Sequence, residues 1–318
     1  MTIHAEAPPI PALPEGIVRP SWSVMIPVCN RTTFLRQTID SVVSQGIPAG
    51  AMQICVVDNS TQPIDWAAFL AGWEGGRIEI VRQPQHVSIC DNWNACIAHA
   101  RGHLVHILHD DDFVLPGFYD ALSKAADRFP EVGLVACRAL FIDESGIVLG
   151  VTERLPSLEA AGRDVAPFYY RTPIQCPGVA VRRWFYESHG GFTPGISHCI
   201  DVEMWARVVG LAGGVVLPDV LSAYRFYPNN HSGAFARSAD NLRDLKRRLD
   251  LFASRYPSFD REVATAALCR QAMDQLDYFR SKSDDEAVTC NLAFVRRHVP
   301  TTWRLRRRVL QLARRLFT

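Results

Sequence analysis

A histidine and three consecutive aspartates, His109 to Asp112, follow the apolar run Leu104–Leu108. The run predicts a buried strand of an α/β sheet, which puts the carboxylates at the carboxyl end of that strand. Carboxylates held close together raise one another's pKa unless a cation neutralises them, and Mg²⁺ binds proteins through one or two carboxylates plus substrate phosphates. The pattern indicates a metal–phosphate site. On these residues alone, an acidic turn in which Asp112 caps the next helix is an equal alternative.

Two further predicted strands end in polar residues. One strand, 22–28, is followed by the Cys29–Arg31 turn, and another, 52–57, is followed by Asp58. Predicted strands alternate with helical segments over about the first 140 residues, which indicates βαβ units and a largely parallel sheet. The strand ends of such a sheet share one edge, where ligands bind. We therefore expect these two tips to meet the three aspartates in one crevice.

Another candidate carboxylate is Asp201, in the first turn of a helix predicted from about Cys199 to Leu211. The loop Gly190-Gly191-Phe192 precedes this helix. The positive end of the helix dipole favours a carboxylate in the first turn. Asp201 is therefore either a simple helix cap or an acid held for chemistry. One turn after Glu203 on the same helix lies Arg207, which we expect to form a salt bridge with Glu203.

Composition excludes several classes of protein. The 318 residues carry 34 Lys and Arg against 33 Asp and Glu, so we expect no nucleic-acid partner. The dinucleotide motif G-x-G-x-x-G does not follow the first strand, and the P-loop motif G-x-x-x-x-G-K-[ST] occurs nowhere. The nine cysteines include no C-x-x-C pair, which indicates reduced thiols in a cytoplasmic protein. Residues 1–20 are proline-rich and lack the apolar segment of a signal peptide, so we expect a disordered leader.

The C-terminal part is predicted to be helical, which divides the chain into a leader (1–20), an α/β domain (21–233) and a helical region (234–318). No window approaches the length of a membrane-spanning helix. After Glu286 there is no acidic residue, while eight arginines follow. Residues 302–317 have the pattern of a basic amphipathic helix, which favours a peripheral position on an anionic membrane surface, on its cytoplasmic face. The alternative is a helix packed on the protein with a solvated basic face.

These motifs, in this order, resemble a family 2 glycosyltransferase with the GT-A fold, a mostly parallel Rossmann-like sheet flanked by helices. The similarity covers about Ser21 to Ser232. Its pieces are Val24–Arg31, Ile54–Ser60, Asn92–Gly102, His109–Asp112, Gly190–Phe192 and Asp201–Trp205. The resemblance implies an inverting enzyme that moves a sugar from a nucleotide-diphosphate sugar to a hydroxyl. It also implies a glycan or lipid-linked glycan acceptor, in the assembly of a cell-surface polysaccharide or glycolipid.

The resemblance also implies roles for individual residues. Those for the nucleotide-sugar donor are Pro27, Cys29 and Arg31 in the nucleotide pocket, Asp58 at the base, Asn94, and Asp110 at the ribose. Those for the metal, Mn²⁺ or Mg²⁺, are Asp111 as direct ligand, with His109 and His231 beside it. Asp201 corresponds to the general base, and Asp112 is left as a helix cap.

Two positions depart from the family pattern. His109 stands where the first aspartate of D-x-D is usual, and Ile200 stands where a glutamate often precedes the catalytic aspartate. Imidazole binds transition metals, which favours Mn²⁺, and the alternative is a histidine that only hydrogen-bonds. The departures leave two other functions open. One is a non-catalytic, glycosyltransferase-like protein that binds nucleotide sugars, and the other is a metal-dependent phosphohydrolase that uses His109 and Asp110.

Overall fold

The computed structural model describes residues 6–73, 76–227, 231–305 and 307, without the side chain of His231. The chain forms two compact units, 1–226 and 227–318. The sequence predicted the start of the helical region at residue 234, a few residues after the observed division. We describe each unit by itself.

The described part of the first unit contains a nine-stranded sheet. Its strands are β1 (Trp22–Val28), β2 (Met52–Asp58), β3 (Ile78–Arg82), β4 (Leu104–Ile107), β5 (Phe113–Val114), β6 (Leu134–Ile142), β7 (Val148–Val151), β8 (Val179–Arg182) and β9 (Gly214–Arg225). Their order is β3-β2-β1-β4-β8-β6-β9-β5, and β7 pairs with β6. The first four strands pair in parallel, β8 runs antiparallel to β4 and β6, and β9 runs parallel to β6.

The register brings the polar tips to one edge, as the sequence predicted. Val28 at the end of β1 lies opposite Asp58 at the end of β2, and Met25 lies opposite Ile107 at the end of β4. Because these strands run in the same direction, the residues that follow each of them leave the sheet at the same edge. Burial of apolar side chains stabilises this arrangement, because β2 and β4 are buried along their whole length and helices cover the sheet.

The helices of the first unit are α1 (Leu35–Val43), α2 (Trp66–Phe69), α3 (Ile89–His99), α4 (Phe118–Arg128), α5 (Arg183–His189) and α6 (Ile200–Ala212). α1 buries Leu35, Ile39 and Val42 against the sheet, as its apolar spacing predicted. Ser88 caps α3, because its hydroxyl accepts a hydrogen bond from the Asp91 amide. α2 is much shorter than the predicted helix from Pro63 to Trp73.

Two predicted strands differ from the structure around prolines. The strand predicted from Ile174 to Val181 is restricted to β8, because Cys176–Gly178 forms a 3-10 turn with Pro177 in its first positions. Two short strands predicted on either side of Pro218 form the single strand β9, whose register against β6 shifts between Val216 and Val220. The shift accommodates a proline that has no N–H for the ladder.

The leader differs from the expected disordered segment within the residues that the structure describes. Residues 6–20 contain no helix or strand. Ile10 is nevertheless buried, and Arg19 donates hydrogen bonds of 3.1 Å to the carbonyls of Arg101 and Gly102. The proline content excluded regular structure but did not prevent specific contacts with the domain.

The second unit contains α7 (His231–Ser238), α8 (Asp240–Arg255), α9 (Arg261–Ser281) and α10 (Asp285–His298). The sequence predicted one helix from Phe235 to Ala253, and the structure divides it at Ala239, whose φ of 61° interrupts the helix. The amide of Gln275 on α9 hydrogen-bonds Asn241 on α8 and Asn291 on α10, at 3.1 and 2.8 Å. This polar contact fixes the three helices in one arrangement.

The predicted membrane-binding helix lies mostly outside the described residues, which include only 302–305 and 307 of its range. Among these, Arg307 forms ion pairs with Asp274 and Asp277 on α9, a contact that favours the packed alternative for this one arginine. Within the described ranges, no helix combines the length and apolar character needed to cross a bilayer.

A buried histidine, His106, joins β4 to the turn before β8. Its Nε2 lies 3.1 Å from the Pro177 carbonyl oxygen, and its Nδ1 lies 3.2 Å from the Tyr119 hydroxyl. A carbonyl only accepts, so Nε2 carries the proton and Nδ1 accepts from Tyr119. Burial lowers the pKa of His106 to about 3, which keeps the ring neutral in the folded protein.

His106 makes stability depend on pH in one direction. Below about pH 6.5 the unfolded chain binds a proton at this residue, whereas the folded protein stays neutral down to its own, lower pKa. The contribution of His106 to the free energy of unfolding is therefore present in full well above pH 6.5, and it falls by about 2 kcal/mol between pH 7 and pH 5. We expect His106→Gln to be less stable than the wild type at pH 7 and to lose about 2 kcal/mol less over this interval. Urea unfolding at both pH values measures the difference. His99→Gln, at an exposed position on α3, should lose as much as the wild type, and an equal loss in His106→Gln would contradict a neutral His106.

Candidate active site

The aspartates that follow β4 are clamped by an arginine from the end of β1. Arg31 Nη2 lies 3.1 Å from Asp110 Oδ1 and 2.8 Å from Asp111 Oδ2. One guanidinium thus bridges two neighbouring carboxylates, both of which are largely buried. The structure therefore brings together Arg31, Asp110 and Asp111, which the sequence assigned to one site.

The three aspartates Asp110–Asp112, here called the acidic segment, carry more negative charge than the ion pairs with Arg31 neutralise. Burial and the neighbouring Asp111 raise the pKa of Asp110 to about 7, although Arg31 acts to lower it. Burial raises the pKa of Asp112 to about 6, against the opposing hydrogen bond from His109. Carboxylates with raised pKa values in a buried strand end are a favourable place for a cation, because a cation stabilises their ionised form.

His109, Asp111 and Asp112 form a cluster whose potential ligand atoms all lie within 4.8 Å of one another. His109 Nδ1 donates to Asp112 Oδ2 at 3.2 Å, and its Nε2 is buried, with the Cys176 thiol as a neighbouring group. A histidine whose other nitrogen donates to a carboxylate is typical of metal ligands. These residues therefore fit a divalent cation, with Asp111 and His109 as the oxygen and nitrogen donors.

The charge state of His109 links this site to Cys176. Burial alone would lower the pKa of His109, but the neighbouring Cys176 and the hydrogen bond to Asp112 raise it above its usual value. A metal at Nε2 requires the neutral imidazole, so metal binding there would release a proton. The ring of His109 also packs against Trp93, with centroids 5.1 Å apart.

Arg225, at the end of β9, also holds the acidic segment, and no sequence pattern predicted this. Its amide donates to Asp112 Oδ1 at 2.8 Å, and its Nε donates to the Asp111 carbonyl at 3.0 Å. The rest of its guanidinium donates to the carbonyls of Asp143 and Glu144 and to the Gln37 side chain. Arg225 therefore joins the acidic segment to the β6–β7 turn and to α1.

The role predicted for Asp112, a helix cap, is wrong. The helix after Pro116 begins at Phe118, and its N-cap is Gly117, with a φ of 86° and no side-chain cap. The carboxylate of Asp112 is instead bonded to the Arg225 amide and to His109. The physical reason is distance along the chain: Asp112 lies too far before the first helical turn to reach its amides.

The tips of β1 and β2 are joined by hydrogen bonds of Asn30, one through its side chain and one through its backbone N–H. Asn30 adopts a left-handed conformation with φ of 58°, and its Oδ1 accepts from the Thr61 amide at 2.8 Å. The Asn30 amide donates to Ser60 Oγ, also at 2.8 Å. Asparagine adopts this conformation more readily than most residues. Asn30 therefore favours the turn that places Arg31 beside the aspartates.

Asp58, predicted to read the base, is fully buried and already bonded. Its Oδ1 accepts from the Ser60 amide, and its Oδ2 accepts from Trp66 Nε1, both at 2.9 Å. Arg82 Nη1 adds a third donor to Oδ2 at 3.4 Å, so in this structure Asp58 shapes the β2 tip. Partial burial raises the pKa of the Cys29 thiol, and the negative charges of Asp110 and Asp58 raise it further. Pro27 is in β1, opposite Val57.

Asn94, predicted to bind the nucleotide sugar, bonds the protein through both polar atoms of its side chain. Its Oδ1 accepts from the Phe192 amide at 2.7 Å and its Nδ2 donates to the Phe192 carbonyl at 3.1 Å. Arg207 binds the same loop from the other side, because its Nη2 donates to the Gly191 carbonyl at 2.6 Å. Arg207 also pairs with Glu203 at 3.2 Å, as the sequence predicted. The Gly190–Phe192 loop is therefore held between α3 and α6.

Asp201 lies in the first turn of α6, half-buried, with Oδ1 accepting from the Val202 amide at 2.8 Å. Its relation to the acidic segment is visible through Cys176. Burial raises the pKa of this thiol, and of the smaller effects His109 lowers it while Asp201 raises it. The charges of Asp201 and His109 thus both act on the Cys176 thiol. The side chain of His231, predicted beside the metal, lies outside the described residues.

The chain is similar in sequence to glycosyltransferases. The model of the family described as Glycosyl transferase family 2 matches residues 23–184. The O-antigen biosynthesis protein RfbC of Myxococcus xanthus is 30% identical over 210 residues, which are 59% of this chain and 16% of that protein. An uncharacterized protein of Mycobacterium tuberculosis is 24% identical over 73% of this chain and 75% of its own length. The chain thus spans less than a fifth of the length of RfbC.

Solved structures share the fold. Staphylococcus aureus TarS 1-349 in complex with UDP-GlcNAc matches with a TM-score of 0.58 and 13% identity, over 79% of this chain and 71% of that chain. The mannosyltransferase PcManGT from Pyrobaculum calidifontis, in complex with GDP-Man and Mn²⁺, matches with a TM-score of 0.53 and 17% identity, over 94% of this chain and 85% of its own. At these identities the likeness establishes the GT-A type α/β fold predicted from the sequence.

The close approach of Asn94 to the loop gives a test of the site's architecture. A Cβ added at Gly191 would lie 2.2 Å from Asn94 Oδ1, which cannot move without losing its bond to Phe192. We expect Gly191→Ala to lower the free energy of unfolding by about 1–3 kcal/mol, measured by urea unfolding. Gly150→Ala is the matched control, since a Cβ there meets nothing within 4 Å, and should change stability by less than about 0.5 kcal/mol. A wild-type stability for Gly191→Ala would contradict this packing.

Proposed function

Because the chain belongs to glycosyl transferase family 2, we propose that it transfers a sugar from a nucleoside-diphosphate sugar to a hydroxyl acceptor, in the assembly of a polysaccharide or glycolipid. The observation that carries this proposal is the pair Asp110 and Asp111, clamped by Arg31 at the edge where β1 and β4 end. The similarity to an O-antigen biosynthesis protein supports the acceptor class. Structures of the same fold hold UDP-GlcNAc or GDP-Man, which supports the donor class.

The donor end of the proposed site is the edge formed by β1, β2 and β4. Pro27, Cys29 and Arg31 line the nucleotide pocket in this proposal, and Asp110 accepts from the ribose. Asp111 and His109 hold Mn²⁺ or Mg²⁺, and a bound Mn²⁺ in a protein of the same fold supports that choice. When bound, the metal offsets the negative charge that develops on the diphosphate. Arg31, which pairs with Asp110 and Asp111, would add its positive charge to the same effect.

The acceptor end of the proposed site is Asp201. Its carboxylate takes the proton of the acceptor hydroxyl as the oxygen attacks the anomeric carbon. The bond from that carbon to the diphosphate oxygen breaks, and the electron pair leaves with the nucleoside diphosphate. A single direct displacement with one base inverts the anomeric configuration.

We place the protein in the cytoplasm, because all nine cysteines are free thiols and seven of them are buried. The contact of residues 302–317 with an anionic membrane stays a prediction from the arginines of that segment, and a lipid-linked acceptor would agree with it. The alternative phosphohydrolase is not favoured, since His109 and Asp110 follow a strand and Asp110 is engaged by Arg31.

Asp201→Asn tests the transfer step. The amide cannot accept the hydroxyl proton, so we expect turnover to fall by about 10²-fold or more while donor affinity stays near the wild-type value. The measurement is release of nucleoside diphosphate, with UDP-GlcNAc and GDP-mannose as first donors and Mn²⁺ present. Asp219→Asn, at an exposed position on β9, is the matched control and should keep full turnover. Wild-type turnover in Asp201→Asn would remove Asp201 from the mechanism. Donor binding without turnover in the wild type would favour the non-catalytic alternative.

Asp111→Asn tests the metal site without any acceptor. A ligand at a hundredfold excess over its Kd stabilises the folded protein by about 2.7 kcal/mol. We expect UDP or GDP to raise the melting temperature of the wild type with Mn²⁺ and much less with EDTA. In Asp111→Asn the Mn²⁺-dependent part of the shift should disappear. The control is Asp120→Asn, which changes an exposed aspartate on α4 and should keep the wild-type shift. A full shift in Asp111→Asn would show that the metal is held elsewhere, and the same screen over nucleotide sugars identifies the donor.

A further inference from the structure

The segment before β1 makes contacts that neither the fold nor the proposed transfer step accounts for. The carbonyl of Pro8 accepts a hydrogen bond from the Gly191 amide at 2.8 Å. The carbonyl of Pro11 accepts from Arg183 Nη2 at 3.1 Å. Between them, Ile10 is 6% exposed, although its neighbours on the chain are accessible. Residues 7–11 therefore lie against the domain at defined points.

Two glycines make room for this segment. At Gly190, with φ of +79°, an added Cβ would lie 2.9 Å from the Pro8 carbonyl oxygen and 3.0 Å from Ala7 Cβ. At Gly191 it would lie 3.2 Å from Ile10 Cδ1. The pair Gly190-Gly191 thus fits the leader on one side and Asn94 on the other. Side chains at these positions would exclude one or both.

A buried arginine also depends on the leader. Arg183 in α5 is 1% exposed, and its Nη1 donates to the Ile97 carbonyl at 2.6 Å. Its Nη2 has the Pro11 carbonyl as acceptor. A buried guanidinium that loses an acceptor is destabilised, because its N–H groups are no longer satisfied. The leader is therefore a part of the packing around α5, in spite of its lack of regular structure.

The loop that the leader holds is the one that precedes Asp201. Asn94 binds Phe192 from α3, and Arg207 binds the carbonyls of His189 and Gly191 from α6. The leader adds the hydrogen bond to the Gly191 amide. These three anchors fix the start of the connection that leads into the first turn of α6.

We propose that residues 7–11 are a positioning segment that holds the Gly190–Phe192 loop and, through it, the first turn of α6 with Asp201. The link to Asp201 rests on the proposed function, whereas the contact of the leader with the loop does not. Within the described part of the chain, the hydrogen bonds of the leader reach Gly191, Arg183 and the Arg101–Gly102 backbone, and none reaches Arg31 or the acidic segment. We therefore expect the leader to act on the acceptor end and to leave the donor end unchanged.

The experiment uses three variants of the full-length chain. Ile10→Asp places a charge in the apolar contact with the loop. Val18→Asp is the matched control, because it introduces the same charge in the leader, outside residues 7–11, at a position that is 88% exposed. Ile10→Leu keeps the apolar contact and tests rescue. Ile10→Ser is the milder change that replaces Ile10→Asp in the assays if the latter does not fold.

Two readouts separate the contact from its consequence. Hydrogen exchange of the 189–193 amides reports the contact, and we expect about tenfold or faster exchange in Ile10→Asp and wild-type exchange in Val18→Asp and Ile10→Leu. The kcat and KM for release of nucleoside diphosphate from UDP-GlcNAc or GDP-mannose, with Mn²⁺, report the consequence. We expect kcat to fall about tenfold in Ile10→Asp while the donor KM stays within about twofold.

Each contrary result has a distinct meaning. Unchanged exchange in Ile10→Asp overturns the positioning segment itself. Faster exchange with unchanged kcat overturns its link to Asp201. A rise in donor KM that matches the loss of kcat, or a failure of Ile10→Leu to restore it, overturns the restriction to the acceptor end. If the wild type has no turnover with any donor, the proposed function fails, while the exchange measurement still decides whether the leader holds the loop.

Discussion

The structure depends on how positive charge reaches three buried carboxylates in a row. Asp110, Asp111 and Asp112 leave the apolar strand β4 directly, so the chain cannot spread them apart. Two of them have raised pKa values because burial and mutual repulsion disfavour their charge. Nothing within the segment except His109 can offset that repulsion. The compensating groups must therefore arrive from other parts of the fold, and they arrive from both sides.

A parallel arrangement of strands is what makes this possible. Arg31 follows β1, which lies next to β4, and Arg225 ends β9 on the other part of the sheet. The two arginines act differently: Arg31 neutralises the carboxylates with its guanidinium, while Arg225 binds their backbone and one carboxylate through its amide. The side facing Arg31 is therefore the one where the proposed function places the cation and the diphosphate. The side facing Arg225 is fixed, because that side chain also bonds two other segments, the β6–β7 turn and α1.

The contrast between Arg31 and Arg225 also explains what the sequence could predict. Arg31 belongs to a local pattern, a polar turn after an apolar strand, and the same pattern identified Asp58, the three aspartates and the sheet edge. Arg225 contacts residues more than a hundred positions away, and nothing in its own neighbourhood indicates this. Asn94 and Asp58 were recognised by motif, but a motif does not reveal that their polar atoms are already bonded to the protein. The leader was predicted to be disordered from its prolines, since composition says nothing of single carbonyls that accept from Gly191 and Arg183.

The departure at Ile200 has a consequence for which acid can act. The first turn of α6 contains two carboxylates, Asp201 and Glu203. Glu203 is fully buried and bonded to Arg207 and Thr193, so it is not free to exchange a proton with a substrate. Ile200 is 1% exposed and packs in the core, where an acid would be destabilised. Asp201 is therefore the one carboxylate of this turn that is partly accessible. In the proposed function, Ile200 in place of an acid restricts the choice of base to this single residue, which follows a loop that is itself held from three sides.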